Sequence, residues 1–135
     1  EKLTIPYVDL VNKTNLNDYI AAISNAKLLV TNDTSAYHIG VVQEVPTAII
    51  TGAYTLEKYV LYDFPGKENY RRPCTIVINK KCKNCNNRCP YLGDAEIWPC
   101  LNEISVEYAW EKLNAYIDEN VSGGKNENWK IIRYK

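Results

Sequence analysis

Apolar positions in the first fifty residues fall into short runs separated by stretches of helical spacing. Tyr7–Val11 is a short apolar run and predicts a strand. Lys13-Thr14-Asn15 predicts a turn, with Thr14 or Asn15 as the cap of a following helix over Leu16–Asn25. Leu16, Tyr19, Ile20 and Ile23 give that helix one apolar face. Lys27–Thr31 reads as a buried strand and Asn32–Ser35 as the next turn. A second helix starts near Ser35 and carries Tyr37, His38, Ile39, Val41 and Val42, until Glu44-Val45-Pro46 breaks it. Thr47–Thr51 is another buried strand, closed by Gly52. Strand, helix, strand, helix, strand with short connections predicts an α/β fold. It has a Rossmann-like parallel sheet covered on both faces. In such sheets ligands bind at the carboxyl ends of the strands.

The pattern loosens after Gly52. Tyr54–Arg72 is rich in Tyr, Pro, Gly and charge and predicts loops, with a short helix near Leu56–Leu61. Thr75–Ile78 predicts a strand, and residues 80–100 form a cysteine-rich loop. Ser105 caps a helix running to Tyr116, with Val106, Ala109, Trp110, Leu113 and Ile117 as its apolar face. Ser122–Asn126 is a flexible break, and Trp129–Tyr134 is a short tail that packs back on the domain. The organisation expected is therefore one domain over residues 1–121 and a C-terminal tail over 122–135.

Composition narrows the function. The chain has 135 residues, 46% hydrophobic and 24% charged, enough for one real core. Lys+Arg 16 balance Asp+Glu 16, which argues against a general nucleic-acid or membrane-surface binder. No apolar run approaches the roughly 18 residues of a bilayer span. There is no Met, even at position 1, and the chain opens on Glu1–Pro6 without a lead-in, which reads as a piece of a larger protein.

The richest chemistry lies in Thr31-Asn32-Asp33-Thr34-Ser35-Ala36-Tyr37-His38. The chain leaves a strand, turns through small polar residues and enters a helix. The first N–H groups of a helix lack internal partners, and the dipole is positive there, so a diphosphate suits the place. Thr34 and Ser35 add hydroxyl donors. His38 lies one turn in, able to donate to a phosphate oxygen or leaving group. Asp33 is an acceptor suited to sugar hydroxyls. In isolation the same residues also read as an ordinary N-cap and a structural histidine.

The segments Lys13–Ile20, Ala26–Ile39 and Val45–Gly52 together resemble the C-terminal domain of glycosyltransferase family 9, the ADP-heptose:lipopolysaccharide heptosyltransferases. The family hallmark is Asp-Thr-Gly-x-x-His between a strand and a helix, followed by a Pro-led strand ending in Gly. The resemblance covers roughly the first 52 residues well. It resumes more loosely at the cysteine loop and after Ile104. It implies the C-terminal half of a GT-B fold, with an ADP-heptose-like donor bound opposite an N-terminal acceptor domain that supplies the catalytic base. Transfer is implied to invert the anomeric carbon without a catalytic metal, in lipopolysaccharide or other cell-surface glycan synthesis. The implied location is cytoplasmic and peripheral at the inner membrane. Asp33 is implied to contact the donor sugar, the amides of Thr34 and Ser35 to hold the diphosphate, His38 to stand beside it, and Thr14 to pack the nucleoside. Ser35 departs from the family, which has Gly there, and its Cβ is expected to crowd the phosphate. No catalytic base is expected in this chain, which is expected to be inactive alone.

The five cysteines form an odd set, unlike a disulfide scaffold. Cys82-x-x-Cys85, then Cys89 and Cys100, can reach one tetrahedral ion, and structural Zn or Fe is the expected occupant. Cys74 sits apart. Free thiols or one adventitious disulfide are the plainer alternatives. A non-enzymatic zinc-binding interaction module is the competing reading of the whole chain. A redox role for Cys82 and Cys85 is weaker, because Asn86-Asn87 is a poor helix start.

Overall fold

The computed structural model describes residues 6–62, 71–93, 96–121 and 131–133. The 122–126 break and most of the tail lie outside the described residues. The elements follow the hydrophobic pattern closely through the first half: β1 (Tyr7–Asp9), α1 (Leu16–Ser24), β2 (Leu29–Asn32), α2 (Ser35–Val42) and β3 (Thr47–Ile50). Then come β4 (Cys74–Ile76), α3 (Pro99–Asn102), α4 (Val106–Asn120) and β5 (Ile131–Arg133). β2, β3 and β4 make a parallel three-stranded sheet with β3 in the centre. Thr51 N–H extends the β3–β4 ladder by donating to the Ile76 carbonyl at 3.1 Å.

β1 departs from the expected single sheet. It pairs in parallel with β5, Tyr7 opposite Ile131, as a separate two-stranded ribbon. β2 is therefore an edge strand. Its residues alternate between half-buried and exposed, and Val30 is 46% exposed. Among the described residues β2 pairs only with β3.

Helix boundaries follow local chemistry. The Asn15 side chain accepts from Asp18 N–H at 3.0 Å and starts α1, as read from the sequence. α2 ends in a Schellman turn. Val45 N–H donates to Gly40 C=O and Glu44 N–H to Val41 C=O, with Glu44 left-handed at φ 57°. Pro46 then directs the chain into β3. α2 lies close on the sheet because residue 40 is Gly. A Cβ there would stand 2.5 Å from Leu29 Cδ2 and 2.7 Å from Thr47 Oγ1.

The core joins α2 to the segment after β3. Tyr37, Val41, Ile49, Leu56 and Val60 are buried together, with Tyr62 and Val77 packed against them. The short helix expected near Leu56–Leu61 is a 3-10 turn, Ala53–Thr55, running into a π-helical turn, Leu56–Val60. Leu61 N–H donates to Leu56 C=O at 3.0 Å.

α4 starts where expected, with Ser105 Oγ accepting from Tyr108 N–H at 3.1 Å, and Ala109, Leu113 and Ile117 of the expected face are half-buried, but the face is turned toward Tyr116. Val106 and Trp110 are exposed, at 80% and 59%, while Tyr116 is buried. Two tyrosine hydroxyls set this rotation. Tyr116 Oη accepts from the buried Thr47 N–H at 3.2 Å, and Tyr108 donates to Val77 C=O at 3.1 Å. Hydrogen bonds to the sheet thus outweigh the apolar stripe.

Candidate functional site

The turn between β2 and α2 is built from its own polar groups. Thr31 Oγ1 donates to Asn32 C=O at 3.1 Å and lies 3.3 Å from Thr34 Oγ1. Thr34 is the N-cap of α2, extended at φ −142°, ψ 176°, yet its side chain caps nothing. Its hydroxyl instead donates back to Asn32 C=O at 3.5 Å. Asn15 and Ser105 do cap their helices, so the start of α2 differs from those of α1 and α4. Ser35, exposed, is the first residue of α2 and is not among the left-handed residues. Its Cβ therefore introduces no backbone strain.

Asp33 and His38 meet across that turn. Their nearest atoms, Asp33 Oδ1 and His38 Nε2, are 3.9 Å apart, and the side chains are 21% and 41% exposed. Both can therefore reach a ligand. The other ring nitrogen, Nδ1, is hydrogen-bonded to the Tyr62 hydroxyl. The Tyr62 ring packs edge-on to the imidazole with centroids 6.0 Å apart, and Tyr37 adjoins both rings. Burial, and then the Asp33 carboxylate, push the Tyr62 hydroxyl above the ordinary tyrosine range. Tyr54 is raised by the same two causes in the same order, opposed by a hydrogen bond with Thr51. Both tyrosines stay protonated at neutral pH as polar, uncharged neighbours of Asp33.

Tyr62 and Tyr54 were not legible as site residues, since they sit in a tyrosine-rich stretch without spacing. The signal lay in Tyr37. It is fully buried, and its hydroxyl donates to Val60 C=O, which fixes the segment ending at Tyr62 beside α2. Thr14 is half-buried just before the cap of α1. No hydrogen bond among the described residues joins it to Asp33, Thr34, Ser35 or His38.

The family profile for glycosyltransferase family 9 (heptosyltransferase) matches residues 1–88, about two thirds of the 135. The chain belongs to glycosyltransferase family 9. No curated protein and no solved structure matches it. The family match includes the whole Asp33–His38 turn, Tyr54, Tyr62 and the first two cysteines of the loop. A family 9 domain is a glycosyltransferase domain, and its substrate side includes a sugar donor. Among the described residues no helix is long and apolar enough to cross a membrane.

All five cysteines are free thiols. Cys82, Cys85, Cys89 and Cys100 line one pocket together with Tyr54, Lys80 and Trp98. Cys74 lies elsewhere, in β4, where its thiol donates to Lys112 C=O at 3.6 Å. Burial pushes the Cys74 thiol above its ordinary range, with Lys112 pulling the other way.

Proposed function

We propose that this family 9 chain forms the donor-binding half of a GT-B glycosyltransferase, with the donor diphosphate seated at the start of α2. The uncapped first turn of α2, flanked by Asp33 and His38, carries this reading. The N–H groups of Ser35 and Ala36 at its start and the roughly half-unit positive charge of the dipole favour a phosphate. The amides of Thr34 and Ser35 hold the diphosphate and their hydroxyls add donors. Asp33 accepts from sugar hydroxyls. Thr14, at the start of α1, packs the nucleoside of an ADP-heptose-like donor.

His38 is the electrophilic partner. Nδ1 is occupied by the Tyr62 hydroxyl, which leaves Nε2 as the nitrogen that faces Asp33 and the ligand; in the tautomer where Tyr62 donates to Nδ1, Nε2 carries the proton. Nε2–H can then donate to the phosphate oxygen on which negative charge grows as the nucleotide leaves. Inverting transfer also needs a base beside the acceptor hydroxyl, across the GT-B cleft. That base belongs to an acceptor domain, so this chain alone binds donor without transferring sugar. The acceptor is lipopolysaccharide or another cell-surface glycan, met at the cytoplasmic face of the inner membrane.

The test compares sugar transfer by the 135-residue chain with transfer by a protein carrying both domains. ADP should raise the melting temperature of both, and only the second should turn over. Robust turnover by the short chain, or the absence of ADP stabilisation in both proteins, contradicts the reading.

A further inference from the structure

We propose that Cys82, Cys85, Cys89 and Cys100 bind one zinc ion that clamps the 81–93 loop onto the turn carrying Tyr54. The inference is independent of the donor reading. The four thiols come from two separate places, the loop and the first turn of α3, yet line a single pocket and form no disulfide. Soft thiolates with tetrahedral reach select zinc among abundant divalent ions. Four protein ligands leave no open position, so the ion is structural. Each thiol gives its proton to solvent as the ion binds. Lys80, ion-paired with Glu103, lines the same pocket.

The backbone of the loop is anchored on the turn that carries Tyr54. Residues 81–93 contain no helix or strand. Asn84, Asn86 and Asn87 are left-handed, at φ 61°, 51° and 66°. Asparagine adopts this region readily, so these three residues form tight turns. Asn84 and Asn86 flank Cys85 and reverse the chain there. Their N–H groups donate to Ala53 C=O at 2.7 Å and Tyr54 C=O at 2.9 Å, and Asn84 Oδ1 accepts from Glu57 N–H at 2.9 Å. No residue of the loop is buried, so it has no apolar core of its own to hold this shape. Among the described residues no three potential ligands already stand in a coordinating arrangement, so binding includes a closing movement of the loop. The same backbone bonds carry that closure to Tyr54, whose ring lies edge-on to Trp98 at 4.3 Å.

Elemental analysis of tag-free protein, with Co²⁺ titration of the metal-stripped chain, tests the proposal. The expected results are about one zinc per chain and intense thiolate-to-cobalt charge-transfer absorption with tetrahedral d–d bands, saturating at one equivalent. Cys74→Ser should leave both unchanged. Cys82→Ser and Cys89→Ser should each weaken Co²⁺ binding at least about tenfold. Absence of charge transfer in the wild-type chain overturns the proposal without any variant needing to fold. So does a chain with five freely titrating thiols in the presence of zinc, recovery of a Cys82–Cys85 disulfide, or full metal retention by the Cys82→Ser, Cys89→Ser double variant.

Discussion

The β2–α2–β3 unit and the cysteine loop adjoin the same Tyr54 and are built on opposite principles. The first is held by its own hydrophobic pattern. Tyr37, Val41 and Ile49 are buried, Gly40 lets helix meet strand, and a Schellman turn reverses the chain. The second has turns, left-handed asparagines and thiols in place of a core. The contrast teaches that order in the first needs no ligand, so its polar turn is free to bind one. Order in the second rests on the backbone bonds of Asn84 and Asn86 to Ala53 and Tyr54 and, under the zinc proposal, on the ion between its thiols.

Function should break before structure at the α2 start. His38→Ala or Asp33→Ala, in a transfer-competent protein, should lower kcat/KM about 100-fold, the scale of losing one transition-state contact. Its melting temperature should barely move, because neither side chain is buried in the core. Tyr62→Phe should lose less, because it removes the hydroxyl bonded to His38 Nδ1 but leaves Nε2 and Asp33 in place. Unchanged kinetics in all three variants would remove the site from the account.

Packing gives the next largest effect. Gly40→Ala places a Cβ 2.5 Å from Leu29 Cδ2 and should destabilise by about 1–3 kcal/mol in urea unfolding. Tyr116→Phe strands the buried Thr47 N–H and should cost a similar ~1–3 kcal/mol. Both losses should be the same with and without zinc, whereas chelation should loosen only the loop. A Gly40→Ala cost that vanishes on metal removal would mean that the two regions are not independently built.

The helix caps separate the α2 start from its counterparts by smaller amounts. Asn15→Ala and Ser105→Ala each remove a side-chain cap and should cost about 1 kcal/mol. Thr34→Ala removes none, so its stability should change by clearly less while ADP affinity falls. An equal cost at all three caps contradicts the claim that the α2 start is left open.

The smallest effect is expected at Glu57. A hydrogen bond with Lys83, then the Lys83 charge, holds its carboxyl below the ordinary range, with Lys83 Nζ 2.7 Å away. A depressed carboxylate contributes stability above its unfolded pKa and loses it as pH falls through the folded value. Both partners are about half exposed, so solvent screens the pair. Glu57→Gln should lower the melting temperature slightly at pH 7 and not at all in strong acid, where Glu57 is neutral too.

What could be read from the sequence follows the same division. α1, α2 and β3 were legible because their apolar spacing and capping residues are local. The partner of β1 was not, since Tyr7–Asp9 carries no information on whether β2 or the distant Ile131–Arg133 pairs with it. On the α4 face Ala109, Leu113 and Ile117 were legible, whereas Val106 and Trp110 were not, because hydropathy spacing cannot weigh the hydroxyl bonds of Tyr116 to Thr47 and of Tyr108 to Val77. Asp33, Thr34, Ser35 and His38 were found because they are contiguous. Tyr62 was missed because it reaches His38 from 24 residues away.

The α2 start can be tested directly by titrating ADP into the isotope-labelled chain and following its backbone amides, with AMP and pyrophosphate as parallel arms. Thr34, Ser35 and Ala36 should shift most with ADP and pyrophosphate, AMP should move them less, and Asn15 and the α4 start should stay still. Stationary Thr34, Ser35 and Ala36 amides at millimolar ADP, with shifts elsewhere on the surface, would contradict it.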